Sequence, residues 1–274
     1  PPSSAIMLSA RSAARGTAAS LSRAWGWGAR SAAVEHDKRV ACGGERARGL
    51  CSAGVGDEEH RPDNHPWLRM CKAPDSFTAE ERVLTFLSAN VGAGRLADVA
   101  RDWRHLPPSA HERGMEVVLQ THLFAGFART INGLATIDQV GVACETTKWQ
   151  EEIGDAQEWR KQGEESCAAI YGNVYDKLRR RMAKMHPVLD RIMVDHGYGR
   201  IISRGGLSLR LRELSVVAVL AGMDVAPQLN SHLRGAKLVG AAEEEIRAVV
   251  AATHLAWGDA AQAQADATLE TVRS

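Results

Sequence analysis

The sequence has few aromatic residues, little net charge and no long apolar run, and each of these absences argues against a class of protein. Only 5% of the 274 residues are aromatic, so a core must be built mainly from Ala, Val, Leu and Ile. The net charge of +1 argues against a nucleic-acid binder that works by neutralising phosphates. No charge-free run of about 18 apolar residues occurs, so no membrane-spanning helix is expected. The 45% of hydrophobic residues is typical of a globular protein.

Cysteine is also scarce and forms no paired motif. Five cysteines stand at positions 42, 51, 71, 144 and 167, and this odd number at wide spacing suits a reducing compartment better than a disulfide framework. Cys51, His60, His65 and Cys71 fall in a polar, glycine-rich stretch over 35–74 that contains no CxxC or HxxxH pattern. We therefore interpret this stretch as a solvated linker or arm and expect no metal site.

The first 34 residues differ in composition from the rest of the chain. They contain four arginines, seven serines and no Asp or Glu. An arginine-rich, serine-rich, acid-free stretch is typical of an organellar transit peptide, and the lack of a continuous apolar run argues against a secretory signal. We predict a transit peptide over 1–34 and an organellar location, the mitochondrion before the plastid. The alternative is a disordered low-complexity tail.

An internal repeat organises the remaining chain. The stretch RVLTFLSANVGAG, which begins at Arg82, recurs 130 residues later as RELSVVAVLAGMD at Arg212. Further along, THLFAG at Thr121 recurs 132 residues later as THLAWG at Thr253. A single two-residue gap reconciles the two offsets. A repeat of about 50 residues predicts a duplicated structural unit.

Each copy of the repeat is predicted to contain three helices and no significant strand. In the second copy, Leu209 to Met223 is apolar nearly all round, which indicates a buried helix. Pro227 suits the first turn of a second helix that ends at Gly240. Glu243 begins a third helix with negative charge in its first turn, where the helix dipole favours it.

The repeat divides the chain beyond the linker into a first unit (75–140), a helical connector (141–204) and a second unit (205–274). Within the connector, Ala169 to Met185 is predicted to form a helix, and Pro187 is predicted to end it and to open another. Five basic residues of this helix resemble a nucleic-acid patch, but the balanced overall charge and the lack of interleaved aromatics favour a solvated face. The predicted fold is all-α, with duplicated helical modules that follow a disordered N-terminal segment.

Three stretches of this sequence resemble the carboxymuconolactone decarboxylase family. HLRGAKLVGAAEEEIRAVV, from His232, is similar to the family signature of a His-bearing helix, a glycine turn and a Glu-Glu-Ile that opens the next helix. SAHERGMEVVLQTHLFAGFARTINGL, from Ser109, is similar to a second family stretch, and YGRIISRGGLSLRLRELSVVAVLAG, from Tyr198, to the stretch before the second unit of two-module members. The resemblance implies an all-α fold shared with the alkylhydroperoxidase D proteins, and assembly as a homo-oligomer, a trimer or hexamer.

The resemblance also points to a candidate site in the second unit. The peroxidase branch of the family uses a Glu, a CxxC and a His. On this sequence the Glu falls on Glu213, the His on His232, and the cysteines on positions 225 and 228, which are Val and Gln. Peroxide reduction by this route needs both thiols, so it is not expected. The matching positions of the first unit are Val83 and Asp102, which makes that unit a degenerate copy.

The pair Glu213 and His232 suits acid–base chemistry on a small acid. Decarboxylation of a muconolactone acid needs an electron sink and a proton donor at carbon, and histidine titrates near neutral pH. Arg204, Arg212 and Arg234 are the nearest cations in sequence for substrate carboxylates, and Tyr198 could donate a hydrogen bond. The prediction is a decarboxylase or lactone-acting enzyme on a small carboxylated lactone or acid, without metal or organic cofactor.

Three alternatives stay open at this point. The Glu–Arg–His cluster can be a buried ionic network that fixes helix packing. The protein can then be a non-catalytic scaffold or a subunit of an organellar assembly. Cys144 or Cys167 could also support a residual thiol peroxidase activity. His122 and its repeat partner His254 are interpreted as core histidines. No nucleic-acid or membrane partner is expected.

Overall fold

A computed structural model describes residues 65–70, 73–141 and 155–273, and over these ranges every regular element is a helix. The all-α prediction is confirmed. The predicted transit peptide, most of the predicted linker and the start of the connector lie outside the described residues, as does Cys144. None of the helices that the structure describes is long and apolar enough to span a membrane.

The helices follow one another in the order that the repeat predicts. A short α1 precedes the first unit, and the connector contains three α-helices and a π-helical segment. The bounds are α1 (Pro66–Met70), α2 (Ala79–Ala93), α3 (Leu96–His105), α4 (His111–Ala125), α5 (Phe127–Val140), α6 (Ala156–Tyr171), α7 (Tyr175–Met185), α8 (Pro187–Ile192), the π-helical segment (Met193–Ile202), α9 (Leu209–Leu220), α10 (Ala226–Leu238), α11 (Glu243–Ala251), α12 (Thr253–Trp257) and α13 (Asp259–Arg273). Single 3₁₀ turns cover Pro108–Ala110 and Gly172–Val174.

The two units begin in the same way. Thr78 caps α2 through a capping box, in which its hydroxyl accepts from the Glu81 amide at 3.2 Å. Ser208, the residue at the matching position 130 places later, caps α9 by accepting from the Leu211 amide at 3.2 Å. Such caps satisfy amides that the first turn leaves without a partner. The repeat therefore extends to the residues that start each unit.

Helices α2 and α9 pack against each other at the centre of the molecule. Every residue from Leu211 to Leu220 is buried, which confirms the prediction of a buried helix in the second unit. The Ser88 hydroxyl of α2 donates to the Ser215 carbonyl of α9 at 3.0 Å. Because each of these helices is covered on most sides by others, neither shows the polar stripe of a surface helix.

Over the described residues, the first unit has four helices and the second has five, whereas the sequence predicted three in each. A further helix, α5 or α13, follows the glycine that ends the repeat. Gly126 (φ 83°) and Gly258 (φ 90°) turn the chain at matching positions, in a backbone region that other residues rarely adopt. The predicted third helix of the second unit also breaks at Ala252, which gives α11 and α12.

The connector differs from its prediction in one place. The predicted helix from Ala169 to Met185 is interrupted at Gly172, whose φ of 53° ends α6. Pro187 opens α8 as predicted, with His186 as its N-cap. Of the five basic residues on α7, Arg179 forms a bidentate ion pair with Asp190, at 2.7 and 3.0 Å, and the others are exposed.

The end of the predicted linker is part of the core, which corrects the interpretation of 35–74 as wholly solvated. Trp67 is 2% exposed and its ring stacks on Phe86 of α2 at 3.9 Å. His65 is also buried, with Nε2 2.8 Å from Oδ1 of Asp102 on α3. The Asn90 amide donates to the other Asp102 oxygen at 2.7 Å. The Trp67 ring buries a large apolar area against α2, so this segment belongs to the core although the sequence around it is polar.

We expect Trp67→Ala to lower the free energy of unfolding by about 3–5 kcal/mol, because it leaves a cavity over Phe86. Ile131→Ala is the control, since it removes an apolar side chain that is 53% exposed. Chemical denaturation of the two variants tests this. If both variants lose the same free energy of unfolding, Trp67 is not part of the core.

Candidate functional site

Glu213 and His232 form a buried pair between α9 and α10. The distance from His232 Nδ1 to Glu213 Oε2 is 2.9 Å. His232 is 6% exposed and Glu213 is 0% exposed. The other carboxylate oxygen, Oε1, is buried without a hydrogen-bond partner among the described residues. Because Nδ1 is taken by the carboxylate, Nε2 is the ring nitrogen that a bound molecule could reach. The arrangement fixes both the tautomer and the orientation of the ring.

A glycine lets α10 approach closely enough to make this pair. A Cβ atom on Gly235 would lie 2.7 Å from Ile170 Cγ2 and 2.8 Å from Glu213 Oε2. No side chain larger than hydrogen fits there without displacing one of these groups. Gly235 therefore brings together the carboxylate of α9, the imidazole of α10 and the end of α6.

The pair lines a cavity of about 280 Å³. Its walls come from the second unit, from the connector and from the end of α4 in the first unit. The lining residues are Leu123, Phe124, Tyr171, Leu189, Ile192, Met193, His196, Gly197, Tyr198, Ile202, Glu213 and His232. The Phe124 ring meets the His232 ring edge-on at 5.4 Å. An apolar cavity with a few polar groups in one region is the usual form of a small-molecule site.

Two tyrosines form a second polar group in this cavity. The Tyr198 hydroxyl donates to the Tyr171 hydroxyl at 3.2 Å. Burial raises the pKa of Tyr171 to about 12 and raises the pKa of Tyr198 well above its ordinary value of 10. Both phenols are therefore protonated at neutral pH. Because Tyr198 donates to Tyr171, the Tyr171 hydroxyl is the one that can donate to a bound molecule. Tyr198, a candidate from the sequence, lines the same cavity as the Glu213–His232 pair, whereas Tyr171 was not anticipated.

One histidine in the cavity wall, His196, is paired with a second histidine behind it. His196, in the π-helical segment, lies with Nε2 3.0 Å from Nε2 of His122 on α4, so one ring donates to the other. The His122 ring also stacks on Phe127. Burial lowers the pKa of His196, and His122 and Arg200 lower it further. His122 was interpreted as a core histidine, and its contact with the connector joins the first unit to the cavity.

The three arginines expected to bind substrate carboxylates do not line this cavity, which corrects their predicted placement. Arg204 Nη2 lies 2.9 Å from Glu116 Oε1, and Arg212 Nη2 lies 3.1 Å from Glu116 Oε2. Arg212 also donates to Gln120 Oε1 at 3.0 Å. Glu116 is the buried anion that draws both arginines towards the first unit. Arg234 lines a separate surface cavity on the other side of α10.

The comparison with known proteins concerns the second unit and the end of the connector. Residues 187–270 match the model of the Carboxymuconolactone decarboxylase family. This part of the chain is therefore similar to a carboxymuconolactone decarboxylase domain. The matched residues run from α8 into α13 and include both members of the buried pair. The resemblance found in the sequence is confirmed.

One curated relative can be set beside this family domain. Peroxisomal protein 2 of Schizosaccharomyces pombe is 28% identical to this chain over 155 residues. The aligned part covers 56% of this chain and 72% of that protein. The similarity therefore extends beyond the 84 residues of the family match.

The family domain lacks a reactive thiol among its described residues. Val225 and Gln228 stand where the peroxidase branch has its cysteines. Cys167, on α6, is fully buried, and burial raises the pKa of its thiol to about 12. A thiol with that pKa stays protonated at neutral pH and is a poor nucleophile. No group of three or more His, Cys, Asp or Glu that could hold a metal ion occurs in the described ranges.

We expect Gly235→Ala to lower the free energy of unfolding by about 1–3 kcal/mol, because the new methyl group overlaps Ile170 and Glu213. Gly205→Ala is a matched control, since no heavy atom lies within 4 Å of a Cβ at that position. Thermal melts of both variants test whether α10 approaches α6 and α9 this closely. A Gly235→Ala variant as stable as Gly205→Ala would contradict it.

The lowered pKa of His196 predicts a loss of stability in acid. The unfolded chain binds a proton near pH 6.5, whereas the folded protein binds it only at lower pH. The contribution of His196 to the free energy of unfolding is therefore complete above pH 6.5, and it is lost as the pH falls through the pKa of His196 in the folded protein.

We expect the melting temperature of His196→Gln to fall less steeply than that of the wild type between about pH 7 and 5. His254→Gln serves as the control, because His254 occupies the repeat position of His122 but lies away from the cavity. Melting curves over this pH range are the measurement. If the melting temperatures of His196→Gln and the wild type fall equally steeply with pH, the lowered pKa of His196 is contradicted.

Proposed function

We propose that this protein is a decarboxylase or lactone-type acid–base enzyme that acts on a small organic acid without metal or organic cofactor. The observation that carries the proposal is the buried Glu213–His232 pair in the wall of a cavity large enough for a small molecule. The match of residues 187–270 to the carboxymuconolactone decarboxylase family model supports the same class of reaction.

In the proposed reaction, the substrate binds with its reacting carbon near Nε2 of His232. The bond to the carboxylate carbon breaks, and its electron pair moves into a conjugated carbonyl or lactone of the substrate. The resulting enolate takes one proton from His232 at the carbon that has lost carbon dioxide, which restores the carbonyl, and His232 regains a proton from water. Glu213 holds the ring and stabilises the imidazolium form before transfer. An apolar wall favours the step, because the localised charge of the carboxylate disperses as carbon dioxide leaves.

We expect Glu213→Gln and His232→Ala each to lower turnover by about 10²-fold or more, because each removes part of the proton donor. The assay measures carbon dioxide release from purified protein at neutral pH. The substrates are small acids whose carboxylate is β to, or conjugated with, a carbonyl, carboxymuconolactone among them. Arg234→Ala controls for a charge change outside the cavity and should keep full activity.

Val83→Gln is the second control for this experiment, because Val83 matches Glu213 in the first unit and is 3% exposed. A buried amide without a partner should cost about 1–3 kcal/mol of stability and leave the activity of the folded protein unchanged. If Glu213→Gln instead only lowers the melting temperature, and turnover persists, Glu213 is structural and the enzyme proposal fails.

A second candidate function is a non-catalytic scaffold or a subunit of an organellar assembly. Exposed apolar side chains on α5, α7, α8 and α10 favour it, because such surfaces often bind other proteins. They are Phe127, Ile131, Met185, Val188, Leu189, Ile192 and Leu238. The same surfaces support assembly as a homo-oligomer, which we propose to be a trimer or hexamer.

We also propose that the protein works in an organelle. The relative from Schizosaccharomyces pombe is named as a peroxisomal protein, which supports the peroxisome. Nothing in the comparisons supports the mitochondrion over the plastid, and the stretch that suggested a transit peptide lies outside the described residues.

A further inference from the structure

Among the described residues, the wall of the cavity carries polar groups but no Lys or Arg. Six of the twelve described lining residues have hydrocarbon or thioether side chains, and Glu213 is the one carboxylate among the twelve. Glu213 is already paired with His232. The side-chain hydrogen-bond donors of these twelve residues belong to two tyrosines and two histidines. The described wall therefore offers neutral donors for one acidic group and no cation for a second.

The arginines near the cavity are held by other groups. Glu116 binds Arg204 and Arg212, and Asp190 binds Arg179. Arg200 lies over the ring of Trp159, at 4.7 Å from its centroid. A second carboxylate of a bound substrate would consequently find no cation in the wall. Burying an ionised carboxylate without a partner is costly, so a multiply charged acid should bind poorly.

The outer part of the cavity is apolar and partly open. Leu189 and Ile192 of α8 line it and are 42% and 53% exposed, and Met193 continues the same surface. Glu213 and His232 are almost fully buried. A ligand would therefore place its acidic end near the pair and its hydrocarbon part along α8, where burial of apolar area favours it.

We propose that the cavity binds a hydrocarbon acid with a single carboxylate, and that it binds acids with two or three carboxylates much more weakly. This inference rests on the proposed function for the assignment of the site, but it concerns binding and does not require turnover.

Binding of octanoate and octanedioate to the wild-type protein, measured by isothermal titration calorimetry at pH 7, tests the proposal. The two acids have the same chain and differ by one carboxylate. Octanoate should bind at least about tenfold more tightly, since the second carboxylate must be desolvated or held outside. Equal or tighter binding of octanedioate would overturn the proposal, and so would failure of both acids to bind.

A charge placed at the rim should reverse the preference. Ile192→Arg adds a cation where the hydrocarbon end lies, so octanedioate should bind about tenfold more tightly to it than to the wild type. Val188→Arg is the matched control, because Val188 is on the same helix and 44% exposed but does not line the cavity. An equal response in both variants would place the binding elsewhere and overturn the proposal.

The outcome for the ligand class can be separated from that for the enzyme. If octanoate binds selectively but no acid is turned over in the carbon dioxide assay, the proposed function is overturned and the proposed ligand class is supported. If turnover depends on His232 but occurs only with dicarboxylated acids, the proposed function is supported and the proposed ligand class is overturned.

Discussion

The packing of α9 against α2 is the contact on which the rest of the molecule depends. The two helices are matched copies of one sequence, and each buries nearly all of its side chains. A helix with apolar residues on every side must be covered on every side, so the other helices of both units assemble around this pair. Helix α9 consequently carries Glu213 into the interior, where a carboxylate is stable only beside a suitable partner.

The two units satisfy their buried polar groups in different ways. In the second unit, Glu213 on α9 meets His232 on α10. In the first unit, the position of His232 is occupied by Asp102, which accepts hydrogen bonds from Asn90 and pairs with His65 from the stretch before the unit. Both solutions place one imidazole beside one carboxylate. The pair of the second unit lines a cavity with room for a ligand, and this makes it the candidate site.

The cavity belongs to neither unit alone. Helix α4 supplies Leu123 and Phe124, the two central helices of the second unit supply the acid–base pair, and the connector supplies the rest. The connector reaches this position because α6 and the π-helical segment pack backbone to backbone. A Cβ on Gly163 would overlap the Val194 carbonyl oxygen, and one on Gly199 would overlap that of Trp159. Glycines at both positions make that approach possible.

The sequence alone determined the helical class, the repeat and the buried α9. These follow from local patterns, which act over one or two helical turns or are copied between the units. The pair Glu213 and His232 was predicted from the resemblance to a known family, because no local pattern joins residues on two different helices. Tertiary structure decided where Arg204 and Arg212 point, because Glu116, almost a hundred residues away, draws them out of the site. It also decided that Trp67 is core and that the connector forms the cavity. Such outcomes depend on contacts between distant segments, and no periodicity within either segment records them.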